Sequence, residues 1–82
     1  MKYSVLELNT KAVRAWAEHD AICIQLDDER QIRFPIAANK RLATGTAEQV
    51  ANIEIICGGT GLHWPELDED LSVLGVLEGR LG

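Results

Sequence analysis

The sequence predicts an α+β fold: a three-stranded antiparallel meander, then short helices, a glycine turn with a further short strand, and a C-terminal helix. Three observations point to it. Apolar and polar residues alternate with period two across residues 12–18 and again across 22–26. A capping-box pattern opens a helix at Thr46, and Gly58, Gly59 and Gly61 punctuate the chain ahead of a last apolar stripe. With 82 residues, 46% of them hydrophobic, one compact domain spanning residues 1–82 is expected. A chain of this length buries only about 60 to 65% of the surface its unfolded form exposes, so association with a partner or a second copy would add to a modest stability.

In the first strand Val13, Ala15 and Ala17 share one face and Arg14, Trp16 and Glu18 the other, with Trp16 either covering a second layer or half exposed. After the polar break at His19 and Asp20, the alternation resumes with Ile22, Ile24 and Leu26 against Cys23 and Gln25. Asp27, Asp28, Glu29 and Arg30 form a hairpin turn, and Ile32 and Phe34 flank Arg33 before Pro35 closes the third strand. Residues 37–43 are good helix formers with no β-branched run and predict a short helix ending near Gly45. Thr46 and Gln49 frame the second helix, with Glu48 near its positive end; it runs to about Ile53, where Ile55 and Ile56 favour a strand. The glycines then make a tight turn into Leu62, His63 and Trp64, because Trp64 and Pro65 leave no helix N-terminus with which to cradle a phosphate. The last helix takes Ser72 or Asp70 as its N-cap, buries Val73, Val76 and Leu77, and ends at Gly79.

Eight Lys and Arg against 13 Asp and Glu give a net charge of −5, without a dense basic cluster, which argues against nonspecific nucleic-acid binding by this chain alone. Cys23 and Cys57 lack the spacing of a zinc or redox motif and read as reduced, buried, small apolar side chains. Glu7, Asn9 and Lys11 interrupt the first apolar stretch too early for a signal peptide, and no run reaches membrane-spanning length; a cytoplasmic location is expected.

The run from Gly59 through His63, Trp64, Pro65, Glu66, Leu67, Asp68, Glu69 and Asp70 to Leu71, Ser72 and Val73 closely resembles the signature of a family of small bacterial proteins, domain-of-unknown-function family 2442. The resemblance extends more loosely to Leu26, Asp27, Arg41, Leu42, Glu48 and Glu54 upstream, and to Gly75, Leu77 and Gly79 downstream. The chain departs from the family pattern in two places. Asp28 and Glu29 stand where an Asp-Gly turn is common, and Asn39 and Lys40 where an aromatic residue and proline are common. The resemblance implies a small α+β domain with no established reaction. It also implies, from the gene position of many members beside a small toxin-like protein, an antitoxin-like role. Some relatives carry a further helix-turn-helix domain after the signature; this sequence ends at Gly82 without one, so DNA contact would be expected through a partner.

The stretch from His63 to Asp70 sets four carboxylates and an imidazole within eight residues. In one reading, Trp64 anchors a partner while Glu66, Asp68, Glu69 and Asp70 steer a small basic protein, such as a toxin that acts on nucleic acid. In another, His63 with Glu66, Asp68 or Asp70 supplies metal-ligand types, although the spacing matches neither a zinc helix nor a calcium loop. In a third, Trp64 and Leu67 pack into the core, Asp68 or Asp70 caps the last helix, and the remaining carboxylates are solvated. Catalysis has little support: His19, His63 and Cys57 sit in no recognised constellation, and neither Ser4 nor Ser72 lies in a nucleophile elbow. The expected function is a noncatalytic protein-binding module without cofactor. The alternatives are self-association through an exposed strand edge and a metal-dependent hydrolase or nuclease.

Overall fold

A computed structural model of the chain describes residues 10–82; Ser4 and most of the amino-terminal stretch weighed above as a signal peptide lie outside the described residues. Strands β1 (Ala12–Glu18), β2 (Ala21–Leu26) and β3 (Gln31–Pro35) form the expected meander in the order β1-β2-β3. Ile22 and Ile24 are fully buried and Leu26 nearly so, because alternate residues of the central strand face the core. Val13 departs from the predicted pattern and is 53% exposed. A bulge is the cause: Ala12 pairs with Leu26 and Arg14 with Gln25, so Val13 is the extra residue, and Ala12 joins Ala15 and Ala17 on the core side. Trp16 lies half-buried on the outer face, with the Arg14 guanidinium 4.9 Å from its ring centroid.

The helical segment starts later than predicted. A short 3₁₀ turn at Ile36–Ala38 follows Pro35, and helix α1 occupies Lys40–Thr44. Asn39 separates the two, with extended backbone torsions and a side chain that accepts from the Leu42 amide at 2.9 Å. Helix α2 (Ala47–Ala51) has the predicted capping box: Thr46 Oγ1 accepts from the Gln49 amide, and Gln49 Oε1 accepts from the Thr46 amide. It ends two residues short of Ile53 and gives way to strand β4 (Glu54–Ile56).

A second sheet was only partly anticipated. Strands β4, β5 (Gly61–Trp64) and β6 (Glu69–Ser72) form an antiparallel sheet in that order. The acidic segment was read as a displayed recognition surface or as a turn and helix cap, with no strand in it, yet Glu69 to Ser72 pair with Trp64 to Gly61. Helix α3 (Val73–Leu77) is capped by Ser72, whose Oγ accepts from the Gly75 amide at 2.8 Å; neither Asp68 nor Asp70 caps it. One core joins the two sheets and three helices: Ile22, Ile24 and Phe34 from the first sheet, Leu62, Trp64 and Leu71 from the second, and Leu42, Val50, Val73 and Val76 from the helices. Among the described residues no helix is long and apolar enough to cross a membrane.

Candidate partner-binding face

The tight turn Cys57–Gly59 sets the register of the β4–β5 hairpin, and the 65–68 turn sets that of β5–β6. Together they align Glu54, His63 and Asp70 in one cross-strand row, on the face opposite Leu62 and Trp64. His63 Nδ1 is hydrogen-bonded to Asp70 Oδ1. That bond, opposed by desolvation and reinforced by the charges of Asp70 and Glu54 and by the Glu69 backbone, holds the imidazole above its ordinary pKa.

Side chains from the helical layer pin the 65–68 turn. Arg41 Nη1 donates to the Asp68 carbonyl at 2.6 Å, Asn52 Nδ2 donates to Glu66 Oε2 at 3.2 Å, and the Leu67 amide donates to the Trp64 carbonyl at 3.2 Å. Asn39, fully buried, donates to Glu69 Oε2 at 2.8 Å and to the Leu81 carbonyl at 2.7 Å. The Arg41 bond and the Leu67 amide fix the backbone of the turn and Asn52 engages the Glu66 carboxylate, while the Asp68 side chain is 96% exposed and that of Asp70 68%. The 3.6 Å Arg41–Asp68 ion pair is correspondingly weak.

The predicted site residues therefore divide. Glu66, Asp68 and Asp70 share the exposed turn and strand, whereas Glu69 points to Asn39 and belongs to an internal network. Trp64 has no exposed surface, and its Nε1 donates to the Val50 carbonyl at 3.0 Å, so it is a core residue and not part of the surface that a partner meets. His63 reaches Asp70 but not Asp68, and no three His, Cys, Asp or Glu among the described residues form a set that could hold a metal ion. Cys23 is buried as expected, but Cys57, which opens the turn between β4 and β5, is exposed, and among the described residues no hydrogen bond joins it to His19 or His63. A shallow groove of about 490 Å³ between β1 and the helices is lined by small apolar side chains such as Ala17, Ala43 and Ala47, with His19 as its titratable group.

Sequence reasoning missed Glu54 as a member of the row and Asn39, Arg41 and Asn52 as the residues that hold the turn. The signal for Glu54 was present, because a hairpin across the glycine turn pairs it with His63. The contacts of Arg41 and Asn52 span 27 and 14 residues and leave no local signature.

No curated protein matches the chain. Two solved structures share the fold. A protein of unknown function from Rhodospirillum rubrum superposes with a TM-score of 0.84 at 29% identity, covering 90% of this chain and 92% of its own. An uncharacterised protein from Chromobacterium violaceum superposes with a TM-score of 0.78 at 29% identity, covering 95% of this chain and 73% of its own. Residues 11–82 match the model described as Protein of unknown function (DUF2442), and the chain belongs to that family.

Proposed function

We propose that the chain is a noncatalytic protein-binding module that presents Glu66, Asp68 and Asp70 to a small basic protein, in the manner of an antitoxin-like partner. One observation carries the reading: Arg41 ties the backbone of the 65–68 turn at the Asp68 carbonyl while the Asp68 carboxylate remains 96% exposed. Carboxylates on a fixed backbone meet a cationic surface without first paying to order the loop. The net charge of −5 favours encounter with such a partner and opposes encounter with nucleic acid.

The test is capture from the native cell with the tagged chain and with a Glu66→Gln, Asp68→Asn, Asp70→Asn variant whose fold is checked by circular dichroism. The expected result is a stoichiometric small basic protein retained by the native sequence and released by the variant. Equal retention by both chains would sink the acidic-face reading. Self-association is the rival, favoured by the exposed apolar side chains Val13 and Ile55 at 53% and 38%. Light scattering over a concentration series separates the two, since a chain that stays monomeric when concentrated removes the rival.

A further inference from the structure

We propose that the row Glu54, His63 and Asp70 is a proton-dependent clasp that fixes β6, and with it the acidic turn, against β5, and that loosens when His63 loses its proton. The proposal goes beyond partner binding and stands whether or not a partner exists.

Its basis is the placement of one imidazole on the middle strand between carboxylates on both neighbours. Asp70 faces it from β6 and Glu54 from β4, at directly opposed register positions. Asp70 is also in direct hydrogen-bond contact with the ring. The strands are short, three residues in β4 and four in each of β5 and β6, so the ladder supplies few backbone bonds and even a modest charged link changes how readily β6 opens. With His63 protonated, the row alternates in sign across the sheet. With His63 neutral, two carboxylates flank an uncharged ring, and the bond to Asp70 is no longer an ion pair but a neutral N–H donating to a carboxylate. Leu71 and the Glu69–Asn39 bond still hold β6 to the core, which confines the loosening to the strand and its turn.

Because the folded chain holds the His63 proton more tightly than an unfolded segment does, the clasp contributes fully below the ordinary histidine pKa. Its contribution is lost as pH rises through the higher, folded value. Amide hydrogen exchange of the full chain between about pH 5 and pH 8.5, corrected for intrinsic exchange, reads this out, with the His63 ring titrated in parallel by NMR. Protection of the β6 amides relative to those of β2 is expected to fall along the His63 titration curve. By linkage, the total fold-change in the β6 opening constant equals the ratio of the His63 acid constants in the open and closed states. His63→Gln should abolish the pH dependence, Asp70→Asn should lower the His63 midpoint, and Glu54→Gln should lower it less. Flat β6 protection across the titration, or an unchanged pH dependence in His63→Gln, would overturn the clasp. Should His63→Gln fail to fold, an unchanged His63 midpoint in Asp70→Asn overturns it equally.

Discussion

Asn39 shows how much one buried amide can hold together. It caps α1, donates to the Glu69 carboxylate and donates to the Leu81 carbonyl, and has no exposed surface. Asn39→Ala removes the cap and strands a partly buried carboxylate, so urea denaturation should show a loss of about 2 to 4 kcal/mol. Trp64→Phe keeps most of the ring volume but leaves the Val50 carbonyl without its donor; a loss of about 1 to 3 kcal/mol is expected in the same assay. Glu29 works in the other direction. Its φ of 73° lies in the left-handed region, which favours glycine. Glu29→Gly should relieve that strain and raise stability by about 0.5 to 1 kcal/mol, read as a higher urea midpoint with unchanged slope.

At the scale of the element, local chemistry explains which parts of the fold could be read in advance. The meander and the α2 capping box depend on residues adjacent in sequence, and both stand where the alternation and the Thr46–Gln49 spacing put them. Val13 misled because a bulge changes side-chain parity without any marker such as glycine. Strand β6 was missed because Glu69, Asp70 and Ser72 have poor strand propensity; cross-strand pairing with His63 and Trp64, and burial of Leu71, override it. The glycine turn was legible, and its strictest demand falls on Gly59, at φ 102°, where an added Cβ would stand 2.8 Å from Lys11 Cβ and 2.9 Å from the Ala12 carbonyl. Gly59→Ala should therefore cost at least about 2 kcal/mol in chemical denaturation, whereas an exposed helix position such as Ala51 should tolerate change within about 0.5 kcal/mol.

Across the whole molecule, one core is shared by two small sheets, so the acidic face is held rigid by the same packing that stabilises the domain. Of the site anticipated from sequence, Glu66 and Asp68 lie exposed on the 65–68 turn and Asp70 exposed on β6. Trp64 and Glu69 turned inward because the two-residue period of β5 and β6 places them on the side of Leu62. If the face binds a cationic protein, the interaction must be salt-sensitive and must depend on those three carboxylates together. The decisive experiment is calorimetric titration of the captured partner into the native chain and into the Glu66→Gln, Asp68→Asn, Asp70→Asn variant, at about 50 mM and about 500 mM salt. An affinity at least about tenfold weaker in the variant, with most of its salt dependence gone, is the expected result. Equal affinities for the two chains at both salt concentrations would contradict it and move the binding surface elsewhere on the molecule.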